Sequence, residues 1–421
     1  METHYQQRLG SVSSVQAWFV TVIVSFFFLY DFGLGNAFNV LTPELLKHYQ
    51  MLNETSLSFI ASAYFWINLL CLLPAAYLLD RFSPKKAILT TLLICAICIL
   101  LMAKTNSVVM FTLARLSMGL ASAFSLVGCI RIATNWFPST QMGLVTGVII
   151  AIGMLGGYIV QSPLHMLLSA TGLIGTILFI GGLGLVLALC ILLFVQDTPP
   201  GFQKARAQQV AELKGIPVVK TLTTILSQWK NWCPGLYVGF LNIPTWVLGG
   251  MWANAYLENT HHLSETAASI VSGELFLGMI VAYPFWGWLT EKIQRRKLPL
   301  IGASLAALVT IGLIILFPFG YMGMMILFFI LGFLIGAQTI AYPLVVEINP
   351  QKNTAVATSV VSMNSLFWGG VIGIPLFGLI LQWVGGVAAY NVAMLLIVFG
   401  FLVSFLLSLG LKETYCQRQV E

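Results

Sequence analysis

Long apolar stretches alternate with short polar punctuation along almost the whole chain. The apolar runs lie near 16–38, 56–79, 87–104, 108–134, 141–162 and 171–196, and again near 233–257, 266–289, 298–317, 320–346, 355–383 and 387–411. A helix needs about 20 apolar residues to cross the hydrocarbon core, so each run is long enough to span a bilayer. The pattern predicts an all-α integral membrane protein with twelve transmembrane helices. One connection is long and polar, from Asp197 to about Asn231, and it divides the chain near its midpoint. The expected organisation is therefore a six-helix half over 1–197, a connecting loop over 198–232 and a second six-helix half over 233–421.

Composition agrees with this pattern. Of 421 residues, 58% are hydrophobic and 8% are charged, against roughly 25% charged in soluble domains. So few charges cannot cover a water-facing surface. The start, METHYQQRLGSVSSVQAWF, has no short apolar segment followed by a small-residue cleavage site, so the first run reads as a retained span. If the N-terminus is cytoplasmic, Arg8, Arg81, Lys85, Lys86, Lys292, Arg295, Arg296, Lys297 and Lys412 fall on that side with the basic residues of the middle segment. The opposite loops hold Lys47 and Lys104. This bias predicts a multi-pass protein of the cytoplasmic (inner) membrane with both termini inside. The net charge of +6 serves that orientation and does not point to nucleic acid. The seven cysteines lack metal-ligand spacing and read as apolar packing residues. No metal site and no cofactor are expected. The middle segment reads as a tether between halves that could lie along the inner membrane surface.

One loop is repeated. After the second span the chain reads AYLLDRFSPKK (76–86), and after the eighth GWLTEKIQRRK (287–297). Aligned, they share small-x-Leu-x-acid-base-x-x-x-base-base, with Asp80 over Glu291 and Arg81 over Lys292. The copies sit about half the chain apart, between spans two and three of each half, which implies duplication. An acid at the end of a span can cap the next helix or pair with nearby bases. Asp80, Arg81, Lys85, Lys86, Gly287, Glu291, Arg295 and Arg296 are therefore candidates for a cytoplasmic gate. A smaller match sets Asn135-Trp-Phe-Pro138 against Glu347-Ile-Asn-Pro350 and makes Glu347 a partner for Arg295 or Arg296.

With these residues in view, the sequence resembles the major facilitator superfamily, whose signature in this loop is G-x-L-x-D-R-x-G-R-R/K. The second copy keeps Gly287 and the basic run, with glutamate for aspartate. The first keeps Asp80 and Arg81 but has Ala76, Ser83 and Pro84 where the family has glycine, glycine and a base. A further signature, R-x-x-x-G in the fourth span, is met by Arg115 and Gly119. The resemblance implies two pseudo-symmetric six-helix bundles that rock about a central solute site. It also implies that the loop clusters latch the cytoplasmic face, where their alternative role is to anchor the loops at the headgroups.

Charged groups inside spans are costly and usually face a cavity or one another. Away from the rims the spans hold Asp31, Arg115, Arg131 and Glu274. At about 1.5 Å per residue, Asp31 and Arg115 both fall in the outer half of the bilayer, on spans that the resemblance places along one cavity. They are candidates for a proton-coupling acid and its modulator, or for a static ion pair. Glu274 is a second coupling candidate, or a hydrogen-bonding group within its half. Arg131 either meets an anionic solute or snorkels to the interface. Tyr30, Asn36, Tyr64, Asn68, Asn242, Trp246, Trp252, Asn254, Asn364 and Trp368 complete the cavity candidates, some of which belong to interfacial belts.

These features predict a secondary active transporter, not an enzyme. No nucleotide-binding loop occurs to supply ATP energy, which leaves an ion gradient, and no catalytic cluster appears in the loops. The family's antiporter signature on span five has Gly-Pro, whereas this chain has Gly153-Met-Leu-Gly156-Gly157. That difference favours proton-coupled uptake of an organic anion or similar metabolite by a monomer. The alternatives are a proton-driven exporter and a non-transporting sensor. The partners expected are a small solute, protons or another coupling ion, and the bilayer.

Overall fold

The computed structural model describes residues 13–137, 141–202, 229–349, 354–386 and 388–417; the side chains of Asp80, Gly143, Leu144, Lys230 and 354–356 lie outside the description. The described residues are helical, with no strand among them. Ten helices are long and apolar enough to cross a membrane. They are Ser14–Asn36, Glu54–Leu79, Pro84–Met102, Val108–Trp136, Ser162–Phe194, Glu265–Ile293, Lys297–Leu316, Tyr321–Glu347, Ala357–Val384 and Ala388–Gly410. They serve as spans 1–4, 6 and 8–12. Span 5 is Met142–Ile159, with a shorter apolar stretch, Val145–Ile159.

Span 7 departs from the continuous run expected over 233–257. It is cut into Trp229–Leu241, Ile243–Val247, a π-helical turn Leu248–Trp252, and Ala253–His261. Asn242 leaves helical geometry (φ −91°, ψ 1°) just before Pro244, whose ring removes a backbone donor. The Gly249-Gly250 pair then admits the wider π turn. Spans 10 and 11 break as well, through a 3-10 segment Gly336–Ile340 and a π segment Leu366–Gly373. Apolar run length is blind to such breaks, because it counts residues and not backbone bonds. A short helix that the apolar pattern does not foresee, Phe38–His48, also follows span 1.

Helix starts follow local chemistry. Ser83, Ser107 and Ser264 each accept the N–H three residues on, from Lys86, Met110 and Ala267. Each thereby satisfies one of the unpaired donors at a helix N-terminus. Between helices in lipid the hydrophobic drive is weak, and close approach at small residues counts for more. Spans 8 and 10 meet this way twice: a Cβ on Gly332 would lie 1.9 Å from the Leu275 carbonyl oxygen, and one on Gly278 2.1 Å from that of Phe329. Gly156 on span 5 brings the backbone of span 1 equally near, with the Leu29 oxygen 2.0 Å from such a Cβ.

The described residues fall into two compact units. One takes in Met1–Gly35, Trp66–Gly157 and Leu167–Ile216; the other takes in Asn36–Phe65, Tyr158–Met166 and Pro217–Glu421. The division runs through the midpoint connection and also reassigns two shorter segments. The segment after span 1, the start of span 2 and the turn between spans 5 and 6 group with the later spans.

Candidate functional site

In the first unit, Asp31 is 3% exposed and accepts a hydrogen bond from Ser122 Oγ at 3.0 Å. Ser122 Oγ in turn accepts from Asn68 Nδ2 at 2.8 Å. Spans 2, 4 and 1 thus deliver a directed chain of donors to one buried carboxylate. The serine proton points at Asp31, which is the arrangement an ionised acceptor needs. Asn68 was expected in the cavity, whereas Ser122 was not foreseen; a polar residue seven positions after Arg115 on the same helix was the available signal.

Arg115 is 1% exposed and turns its guanidinium on the end of span 1. Nη1 donates to the Leu34 carbonyl at 2.8 Å and Nη2 to that of Gly35 at 3.3 Å. Terminal helix carbonyls lack partners and carry partial negative charge, so this arginine completes the helix end. Tyr30 looks the other way, donating to the Ile180 carbonyl of span 6 at 3.1 Å. Asn36 is fully buried at the helix end, and Arg131 is half-buried on span 4.

The second unit holds a neutral amide clasp. Asn39 Nδ2 donates to Asn254 Oδ1 at 3.0 Å and to Gln161 Oε1 at 2.7 Å, and Asn254 N donates to Asn39 Oδ1 at 2.9 Å. Ser272 Oγ donates to Asn254 Oδ1 at 2.6 Å, and Gln161 Nε2 to the Gly249 carbonyl at 3.2 Å. That carbonyl lies in the π turn, where the backbone pairing is displaced. Ser62 Oγ reaches the Gly370 carbonyl of the second π segment at 2.9 Å. Asn254, a cavity candidate, stands in this clasp; Asn39 and Gln161 carry no signal in the sequence. Cutting a buried amide out of such a network costs about 1–3 kcal/mol. Asn39→Ala is expected to loosen this end: spin labels at Asn53 and His262 should gain a second, longer distance, and an unchanged distribution would refute the role.

Further along the same unit, Asn242 Nδ2 and Trp246 Nε1 both donate to Ser365 Oγ, the latter at 3.3 Å. Gln338 Nε2 donates to Asn242 Oδ1 at 3.4 Å and to Tyr283 OH at 3.2 Å. Spans 7, 8, 10 and 11 meet here, beside the breaks of spans 7, 10 and 11. Of the expected aromatics, Trp368 stacks on Phe240 at 4.4 Å, Trp252 on Phe377 at 5.6 Å, and Tyr64 meets Phe65 edge-on at 4.8 Å. Asn364 turns back to the Val360 carbonyl at 2.9 Å. Glu274 is half-buried and makes no hydrogen bond or ion pair among the described residues.

The loop clusters are built twice, each inside one unit. In the first, Ser83 Oγ donates to Asp197, whose Oδ1 accepts from Lys85 N at 2.7 Å, while Lys85 Nζ reaches the Leu192 carbonyl at 2.7 Å. In the second, Glu413 accepts from Arg296 N and Lys297 N at 2.8 and 3.0 Å, and Lys297 Nζ reaches the Leu409 carbonyl at 2.7 Å. The caps are Asp197 and Glu413, absent from the expected set. The repeated acid-threonine pairs Asp197-Thr198 and Glu413-Thr414 were their signature. Burial pushes the Glu413 carboxyl up, but four backbone N–H bonds outweigh it and hold the group below its usual range.

Of the two arginines offered to Glu347, Arg296 takes it: Nη2 lies 2.9 Å from Oε1, with Nη1 on Thr290 Oγ1 at 2.8 Å and Thr414 Oγ1 donating to Oε2. Arg295 is exposed and is tied by its backbone N–H to Thr290 O. At the matching place in the first unit, Asn135 donates to the Asp197 carbonyl at 2.8 Å. Arg81 and Lys292 lie over Tyr77 and Trp288, one turn back on their own helices, at 4.1 and 4.8 Å. Lys86 N bonds Ser83 Oγ, Glu291 O accepts from Gln294, and Gly287 has open space where a Cβ would sit. The side chain of Asp80 lies outside the described residues.

Known proteins sharpen the picture. The chain is 22% identical over 169 residues to a probable sulfoacetate transporter of Cupriavidus necator, covering 40% of this chain and 39% of that protein. It is 25% identical over 201 residues to a probable galactarate/D-glucarate transporter of Escherichia coli K12, covering 45% and 44%. The match thus spans less than half the length of these relatives. Among solved structures, a bacterial homolog of the human lysosomal transporter Spinster superposes with a TM-score of 0.74 at 16% identity, over 95% of this chain and 97% of that one. The nucleoside transporter NupG gives 0.71 at 12%, over 92% and 98%. The sequence profile of the Major Facilitator Superfamily matches residues 21–365 and 245–415, which is nearly the whole chain. With the duplicated caps and the shared fold on the same residues, this chain belongs to the Major Facilitator Superfamily.

Proposed function

We propose that the protein is a secondary active transporter that takes up a small organic anion across the cytoplasmic membrane by alternating access, driven by protons through Asp31. The observation that carries the reading is the buried Asp31 with its Asn68–Ser122 donor chain. A carboxylate held at that depth is costly, and a chain of switchable hydroxyl and amide groups lets it be neutralised and recharged. Arg115, about two helix turns from Ser122 along span 4, supplies positive charge at the end of span 1. The similarity to a probable sulfoacetate transporter and a probable galactarate/D-glucarate transporter supports an anionic solute. Glu274, without a partner among the described residues, serves as a second titrating site.

In this reading the chain works as two six-helix halves, 1–197 and 233–421, in one monomer with both termini in the cytoplasm. The Asn39–Asn254 clasp closes the outer end, and the Arg81, Lys85, Lys86, Glu291, Arg295, Arg296 and Glu347 clusters order the cytoplasmic one. The test is uptake of labelled organic acids into proteoliposomes under an imposed pH gradient. Asp31→Asn should abolish gradient-driven accumulation while leaving solute exchange intact. Undiminished accumulation in that variant would overturn the assignment.

A further inference from the structure

The Asn242–Ser365–Gln338 cluster is only half satisfied, and its open valences match one functional group. Ser365 Oγ accepts from both Asn242 Nδ2 and Trp246 Nε1, which fills its two lone pairs and leaves its own proton to give. Gln338 commits Nε2 to Asn242 and Tyr283, and its Oε1 takes no hydrogen bond among the described residues. Ser365 is 5% exposed and Gln338 6%, so both residues are buried. A free donor and a free acceptor, each on a residue bonded to the Asn242 amide, together complement an alcohol, which both gives and takes a hydrogen bond.

A carboxylate or sulfonate fits this cluster poorly, because an anion only accepts and would face the Gln338 oxygen. No charged side chain belongs to the network. The helix breaks explain why these groups converge: Asn242 precedes the Pro244 break of span 7, Gln338 lies in the 3-10 segment of span 10, and Ser365 immediately precedes the π segment of span 11.

We propose that this cluster is a hydroxyl-recognising subsite, and that the solute is therefore a polyhydroxylated organic acid and not a simple dicarboxylate or sulfonate. The proposal rests on the anion-transport reading above and narrows it. A site built to pair a substrate hydroxyl strongly disfavours the analogue that lacks it, since its own buried groups are then left unmatched.

The full-length protein in proteoliposomes should be assayed with D-glucarate, which carries four hydroxyls between two carboxylates, and with adipate, the hydroxyl-free diacid of equal length. Wild type should half-saturate with D-glucarate at a concentration at least about tenfold below adipate, about one hydrogen bond's worth. Ser365→Ala and Gln338→Ala should each raise the D-glucarate value about tenfold with the maximal rate kept, and leave adipate unchanged. Thermal unfolding of both variants checks that they are folded, and the two reach the subsite from different spans. Equal use of adipate and D-glucarate by wild type, or equal loss of both in the folded variants, would overturn the hydroxyl subsite while the anion reading stands. If wild type takes up D-glucarate, adipate and sulfoacetate not at all, the anion reading itself fails, and the subsite with it.

Discussion

Glu347→Ala is expected to destabilise the protein by about 3–5 kcal/mol, because it strands a buried guanidinium. Arg296 is 7% exposed and Glu347 8%. Without the carboxylate, the Arg296 side chain keeps, among the described residues, the Thr290 hydroxyl alone, and Thr414 loses its acceptor. In detergent this should lower the unfolding temperature by roughly 10 °C. The double variant Arg296→Met, Glu347→Leu should recover most of the loss, since an apolar pair of similar volume removes both desolvation costs together. If Glu347→Ala unfolds like wild type, the pair is not the buried anchor that its geometry describes.

Gly332→Val is expected to prevent folding. Even the first atom of the new side chain would lie 1.9 Å from the Leu275 carbonyl oxygen, a fixed backbone atom that no rotamer change can move aside. Spans 8 and 10 would have to separate, and the reciprocal contact at Gly278 would open with them. Size-exclusion chromatography should show aggregate in place of a monodisperse peak. Gly287→Ala is the control. It alters the glycine of the loop signature, yet nothing lies within 4 Å of the added Cβ, and alanine favours the helix by about 1 kcal/mol. A well-folded Gly332→Val protein would show that the close crossing is not required.

The two outcomes separate what a motif marks from what the packing needs. Gly287 stands out in the sequence because it matches a signature, and Gly332 does not stand out at all. The difference is spatial: one faces open space and the other a carbonyl of a distant span. Arg296 and Glu347 show the opposite case. Their pairing was legible because the repeat aligned Glu347 with the end of span 4, beside the second basic loop. Choosing between Arg295 and Arg296 was not, since adjacent residues near a helix start point in different directions. Asp197 and Glu413 do not stand out because they follow the spans, where an acid reads as ordinary polar punctuation.

Asp31 and Arg115 were legible because charge inside an apolar run is conspicuous at any depth. Their immediate partners were not. Ser122, Gln338 and Ser365 carry no charge to mark them within an apolar run, and the uncharged amides of Asn39 and Gln161 carry no signal against a background of short polar loops.

What the sequence alone determined was the helical class, the apolar runs and the duplicated loop. In lipid each backbone donor must find its acceptor within the segment, so the length of an apolar run already implies a helix. What only the tertiary structure decided was where span 7 breaks and which polar groups meet. Those meetings, Asn39 with Asn254 and Asn242 with Ser365, join residues more than a hundred positions apart. They depend on how helices cross, and crossing is set by close contacts such as that of Gly332 with Leu275, which leave no periodic trace in the chain.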